Sequence, residues 1–226
     1  MNIKIGYLYY DLMNLYGEIG NIKALTYHLD KQGIKYDIRH VSIKKKINFD
    51  EFDIIYIGSG TEENRNLVLE DLKKYKKDIK KQIDKGKFFL VTGNALALFG
   101  NSIDNKEALK IFDFDITTGK RIVKEVKTKS DLIKEEIYGF YNHQDHVDYK
   151  DTTNLFLNDG VLYNNFYGTY LIGPLLIRNP YFTKYFVKKL IKSKNPNFKI
   201  KPFNTKLDIQ AYNEFIEFKK NKKAIK

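Results

Sequence analysis

The sequence contains no cysteine. That single absence excludes disulfides, Cys-ligated zinc, iron–sulfur clusters and any thiolate nucleophile. It also removes the usual redox clue to compartment. Arginine is scarce: Arg39, Arg65, Arg121 and Arg178 are the only ones among 40 basic residues. Specific nucleic-acid sites favour planar guanidinium forks over lysine point charges. The net charge of +12 therefore reads first as a lysine-rich composition, alongside abundant Asn, Ile and Tyr. Its second reading is a basic binding module for anionic partners. Nucleic acid is not the expected partner. No stretch approaches the roughly 18 apolar residues of a membrane span. Met1 to Tyr9 is not followed by the small-residue cleavage site of a signal peptide, and Lys4 interrupts its apolar stretch, so it reads as a first strand. Cytoplasm is the default location.

What is present supports a packed core. Hydrophobic residues make up 42% and aromatic residues 15% of the 226 residues, which argues against disorder and suits a single domain, 1–226. There is no internal repeat and no Pro- or Ser-rich linker. The basic segment 219–226 is expected to fray.

The first hundred residues alternate strand and helix. Ile3, Ile5, Tyr7 and Tyr9 alternate with other residues in a first strand. A polar, glycine-containing turn, Asp11 to Gly20, leads into a helix over 21–31, with Ile22, Leu25 and Leu29 on one face and Gly33 just past its end. A second strand spans 34–41. Phe52 to Ile57 is a buried strand ending in Gly58-Ser59-Gly60. Thr61 then caps one helix running to about Lys85, with Glu62 and Glu63 in its first turn. Lys87 to Val91 is an apolar strand that runs into Thr92-Gly93-Asn94 and a short helix over 95–99. Apolar strands alternating with helices predict an α/β fold with a mostly parallel sheet covered on both faces. The second half reads as short aromatic strands at 111–114, 121–127, 137–142, 154–157, 161–164 and 169–172. Helices are expected at 181–191 and 207–218.

Two glycine turns lie at the C-terminal ends of strands three and four, the edge where open α/β sheets bind ligands. A strand feeding a tight turn and then a helix is the geometry of a nucleophile elbow. In Val91-Thr92-Gly93-Asn94 the turn residue is expected to be Thr92. The N–H groups of Gly58, Ser59 and Gly60, one strand away, are candidates for stabilising an oxyanion. Equally, a tight strand-end turn calls for glycine on steric grounds alone.

The segment from Asp11 to Leu25 (Asp-Leu-Met-Asn-Leu-Tyr-Gly-Glu-Ile-Gly-Asn-Ile-Lys-Ala-Leu) resembles the N-terminal signature of GatD-type glutaminase subunits of lipid II isoglutaminyl synthases. These are cobyric-acid-synthase-type (CobB/CobQ-like) class I glutamine amidotransferases. The likeness continues, in order, through residues 53–60, 111–114, 138–143 and the Gly-Thr-Tyr-Leu-Ile-Gly-Pro segment at 168–174. The resemblance implies a three-layer, flavodoxin-like class I glutamine amidotransferase fold. It implies a family that hydrolyses glutamine with a Cys at the strand-four elbow and a His in the Gly-Thr-Tyr-Leu-His-Gly-Pro segment. The ammonia passes to a MurT-like, ATP-using Mur-ligase partner that amidates the stem peptide of lipid II, a peptidoglycan precursor. Here those two positions are Thr92 and Ile172. Isoleucine accepts no proton, and threonine attacks a carbonyl only when a nearby base takes its proton. His143 and His146 are the candidate bases.

The resemblance also places Arg121 where the family uses an arginine near bound glutamine, and a guanidinium holds a carboxylate bidentately. Gly93, Asn94 and His143 complete the ligand-binding candidates. His143 and His146 with Asp148 have the look of a metal cluster by spacing, but too few ligands accompany them. No metal and no cofactor are expected. The leading expectation is a GatD-like subunit in a heterodimer that supports lipid II amidation, without its own thiol glutaminase activity. Glutamine or a related small molecule is the candidate ligand. The alternatives are a hydrolase using Thr92 or partner residues, and the basic binding module.

Overall fold

The computed structural model describes residues 1–150 and 152–224. The elements run in the order β1 (Asn2–Leu8), α1 (Ile19–Lys31), β2 (Lys35–Val41), β3 (Ile54–Ile57), α2 (Glu62–Lys73), α3 (Lys76–Asp84) and β4 (Phe88–Thr92). A 3-10 segment, Gly93–Phe99, follows β4. Then come β5 (Ser102–Ile103), β6 (Lys106–Glu107), β7 (Phe114–Thr128), β8 (Ile137–Tyr149), β9 (Val161–Tyr163), β10 (Phe166–Thr169), α4 (Leu175–Arg178), α5 (Pro180–Lys194) and α6 (Lys206–Ala224).

The central sheet has the order β2-β1-β3-β4-β10-β9 and is parallel except for β9, which pairs antiparallel at one edge. Its core strands are buried on both faces, and period-two alternation divides their side chains. Ile55, Ile57, Phe89 and Val91 pack with Val68, Leu72, Ile79 and Ile83 from α2 and α3. Ile54, Tyr56, Phe88 and Leu90 pack on the other face with Leu25 and Leu29 of α1 and Phe182 and Phe186 of α5. This is the mixed α/β architecture expected from the strand–helix alternation. The chain leaves β1 toward β2 and returns to its other side at β3, so the strand order reverses there. Ligands bind such sheets outside the strand C-termini at that reversal.

Several expectations need correction. The helix expected from Thr61 to Lys85 is two helices, broken at Lys74–Tyr75. Tyr75 turns its ring onto Phe49, 5.6 Å between centroids, and its hydroxyl accepts a hydrogen bond from the Ile47 amide at 3.1 Å. That anchor redirects the axis. The short strands expected at 121–127 and 137–142 are the middle of one long hairpin, β7–β8, with an irregularity between Thr118 and Ile122. The hairpin joins β5 and β6 in a second four-stranded sheet. Residues 154–157 form only an isolated bridge, Phe156 to Asp159, and the strand placed at 169–172 is β10, three residues earlier. Thr61 caps α2 by accepting from the Asn64 amide at 3.1 Å, and Gly33 adopts φ +67° past α1. The segment 219–226 continues α6 as far as Ala224, and its last two residues lie outside the described residues. Among the described residues no helix is long and apolar enough to cross a membrane.

Candidate functional site

Three connections meet at the C-terminal ends of β1, β3 and β4: the loop 9–18, the turn Gly58-Ser59-Gly60, and Gly93-Asn94. The glycines of the middle turn are set by close approach. A Cβ on Gly58 would stand 2.6 Å from the Met13 carbonyl oxygen, and one on Gly60 would stand 2.4 Å from Met13 Sδ. The loop 9–18 therefore lies directly on the turn, and Leu15 N–H donates to Ser59 O at 2.9 Å.

Thr92 ends β4 in ordinary extended geometry, φ −123° and ψ 149°. The left-handed position of the turn is the next residue, Gly93, at φ +63°. A side chain there would meet Ser59 at 2.5 Å and Ile172 Cγ2 at 2.9 Å. The elbow residue by conformation is thus Gly93, not Thr92. A strand residue one position before the turn still obeys the sheet's alternation, which sends Thr92 inward rather than over the edge.

Inward, Thr92 meets a carboxyl group that sequence patterning does not single out. Thr92 Oγ1 donates to Glu18 Oε2, Tyr56 O–H donates to the same oxygen at 3.0 Å, and Asn21 Nδ2 donates to the Tyr56 oxygen at 2.9 Å. Thr92 and Tyr56 hydroxyl oxygens are 3.2 Å apart. Glu18 is fully buried, and burial pushes its carboxyl up to about 7. The hydroxyls of Thr92 and Tyr56 and the nearby N–H groups of Gly173 and Ser59 pull in the other direction without cancelling it. The Tyr56 phenol is driven well above its ordinary value by the same burial and by the Glu18 charge.

Asn94 fills the turn beside this cluster. Its Oδ1 accepts from Gly60 N–H at 3.0 Å and from Ser59 Oγ at 3.2 Å, and its Nδ2 donates to Gly60 O at 2.8 Å. The turn thus holds a carboxamide supplied by its own chain. Thr92, Tyr56, Ser59, Asn94 and Ile172 are each at most 5% exposed, so a substrate carbonyl has no open path to Thr92 Oγ1 in this conformation.

Arg121 and His143 lie on the second sheet. Arg121 is exposed on β7, donating to Glu62 at 2.9 Å and to Asn142 Oδ1 at 2.8 Å. His143 is buried on β8. Its Nδ1 donates to Asp145 O at 2.9 Å, and its ring packs against Tyr170, 4.5 Å between centroids. Burial lowers the His143 pKa and keeps the imidazole neutral at pH 7. His146 is exposed, its Nε2 at 3.3 Å from Lys120 O. A separation of three sends the two histidines to opposite faces of a strand. Among the described residues no group of three or more His, Asp or Glu side chains is placed to hold a metal. Neither histidine is hydrogen-bonded to Thr92.

Comparison with known proteins places this geometry. CobB/CobQ-like glutamine amidotransferase domains match residues 4–180. A curated relative, the GatD subunit of the glutamine-hydrolyzing lipid II isoglutaminyl synthase of Staphylococcus aureus (strain N315), is 32% identical over 92% of each chain. The subunit of the same name from Streptococcus pneumoniae (strain ATCC BAA-255 / R6) is 26% identical over 85% of this chain and 82% of its own. The chain belongs to the CobB/CobQ-like glutamine amidotransferase family. A solved glutamine amidotransferase shares the fold, with a TM-score of 0.57 at 14% identity over 82% of this chain and 98% of that one.

Two further features of this CobB/CobQ-like domain escape a reading of sequence pattern. Arg65 of α2 is 2% exposed, and its Nη1 reaches both carboxylate oxygens of buried Asp145 on β8 at 2.7 and 2.8 Å. Tyr170 O–H donates to Asp145 Oδ2 at 3.1 Å. Asp159 is buried beside β10, accepts from Thr169 Oγ1, and is raised to about 6 by burial. One sequence signal does exist for the strand-edge cluster: a tyrosine in the apolar run Ile54-Ile55-Tyr56-Ile57 needs a buried partner for its hydroxyl.

Proposed function

We propose that this chain is the amidotransferase-fold subunit of a complex that amidates lipid II, and that it no longer hydrolyses glutamine by a thiol route. The observation that carries the second half is the turn itself: the position with elbow geometry is Gly93, which has no side chain to attack with. The remaining features agree. Ile172, against that turn, cannot carry a proton, and the Asn94 carboxamide already occupies the Gly60 N–H. The chain works as one cytoplasmic domain bound to a MurT-like ligase, organising that partner while free ammonia serves as nitrogen donor. By this geometry Gly93, not Thr92, stands where the family's Cys is expected, and Ile172 stands where its His is expected. Arg121 then ties the second sheet to α2 through Glu62, and His143 packs against Tyr170 inside the fold, rather than either holding glutamine.

A second reading has one observation in its favour. Thr92 Oγ1 donates to a carboxylate whose pKa is near 7, so a base is within reach of a hydroxyl nucleophile. If the cluster opened on binding the partner, Thr92 would attack an amide while Glu18 took its proton.

One assay separates the two. Glutamate release from glutamine and amidation of lipid II are measured for the ligase complex, with glutamine or ammonium chloride as donor. The expected result is amidation with ammonium and no glutamate release above the level without this chain. Glutamate release that is abolished by Thr92→Val, with ammonium-driven amidation intact, would establish the Thr92 mechanism instead.

A further inference from the structure

Away from the strand edge, α1, α5 and the segment between α5 and α6 line an open cavity of about 380 Å³. The size is within the range of small-molecule sites. Its construction is specific. Gln32, the residue just past α1, holds the connecting segment in place, donating to Lys201 O at 2.9 Å and accepting from Lys201 N–H at 2.8 Å. That clip sets Phe203 edge-on against the His28 ring, 5.0 Å between centroids and 86° between planes. Val187 and Ile191 of α5 form an apolar floor. Lys184, Lys188 and Lys201 line the cavity with them.

His28 is the unusual member. It is 6% exposed, lines the cavity, and its ring makes no hydrogen bond to any described residue, while its backbone carbonyl accepts from Gln32 N–H at 3.2 Å. The groups around it are Tyr27 on its own helix, Lys184 and Lys188 on α5, Lys201 and Phe203 on the connecting segment, and Asp208 on α6. Burial drives its pKa down to about 4, Asp208 opposes this, and Lys184 adds to it. The imidazole is therefore neutral at pH 7, and its ring nitrogens are open to the cavity rather than to another side chain.

We infer that this cavity is a binding site for a small aromatic phosphate, its ring between Phe203 and the apolar floor and its phosphate between His28 and the lysines. The three lysines supply point charges suited to a phosphate, and the neutral imidazole donates one N–H to it. Apolar walls lined also by three lysines select a ring that carries the anion over the anion alone. A phosphate group, a monoanion where His28 titrates, also offsets the lysine charges, so binding raises the His28 pKa. The site is independent of the strand-edge cluster and of the amidation reading.

The test uses the full chain with phenyl phosphate, adenosine monophosphate, inorganic phosphate and benzyl alcohol as probes. Binding is followed by calorimetry and by the His28 C2–H resonance through a pH titration. At least one of the two ring phosphates is expected to bind about tenfold more tightly than inorganic phosphate or benzyl alcohol. The His28 midpoint should rise by about one pH unit or more in its presence. Lys184→Ala combined with Lys188→Ala should weaken binding about tenfold. The distant pair Lys76→Ala and Lys77→Ala should leave it unchanged. Equal affinity for inorganic phosphate, equal affinity for benzyl alcohol, a stationary His28 resonance, or indifference to the Lys184/Lys188 change would each overturn the site. Phe203→Ala, a change in the partly buried connecting segment, provides a second check. It should reduce the preference for the ring phosphates over inorganic phosphate, and an unaltered preference would also count against the inference.

Discussion

The stability of Glu18→Gln relative to the parent is expected to move by roughly 3 kcal/mol in the variant's favour as pH rises from 4 to 8. The sign follows from where the proton sits. Burial raises the Glu18 carboxyl from an ordinary value of 4.5 to about 7 in the folded chain. Between those two values the native state keeps the proton and the unfolded state has released it. Stability contributed by this group is therefore complete below pH 4.5, declines through the window, and is lost above pH 7. Glutamine carries no titrating proton, yet its oxygen can still accept from Thr92 and Tyr56. A constant offset from placing an amide there shifts the whole variant curve without tilting it. Asp159, raised to about 6, and His28, lowered to about 4, titrate in both proteins and cancel in the difference. Urea unfolding at half-unit pH steps measures the difference curve. Parallel curves for parent and variant would mean that Glu18 ionises in place without penalty, and the closed cluster around it would have to be open to water.

This cluster also marks where sequence patterning stops. Strand placement in the first hundred residues is legible because β3 and β4 are short apolar runs bounded by glycine turns, and Thr61 and Gly33 are local capping signals whose chemistry acts within a few residues. The glycine turns at 58–60 and 93 mark the strand edge, since a close approach or a positive φ leaves a compositional trace. The side of the sheet on which Thr92 lies is not legible. It depends on whether the turn begins at residue 92 or 93, and a one-residue slip in a strand reverses the facing of its side chain. Glu18 is hidden because its partner, Thr92, is 74 residues away. Nothing in the loop 11–20 separates a carboxyl that folds inward from one that stays in water. The long hairpin β7–β8 reads as separate fragments for a related reason. Its exposed stretch, Thr117 to Arg121, lacks the apolar alternation that pairing across a buried face would impose.

Arg65→Met is expected to destabilise the protein by about 3–5 kcal/mol. Arg65 and Asp145 come from different layers, α2 over the central sheet and β8 of the second sheet, and their side chains are only 3% and 1% exposed. The pair joins the hairpin to the body of the domain, with Tyr170 from the segment after β10 as a third member. Removing the guanidinium leaves a buried carboxylate with one hydroxyl donor, and the charge must be desolvated without compensation or take up a proton. The loss arises mainly from that orphaned charge rather than from the attraction itself. The double change Arg65→Met with Asp145→Leu should therefore be less destabilised than Arg65→Met alone, because no uncompensated charge remains. The neighbouring contact between the same layers, Arg121 with Glu62, is more than a third exposed on both sides, so Arg121→Ala should cost no more than about 1 kcal/mol. Urea denaturation of the three variants ranks them directly. An Arg65→Met loss as small as that of Arg121→Ala would show that the second sheet is held by packing around Phe114, Tyr149 and Tyr170 and not by the buried ion pair.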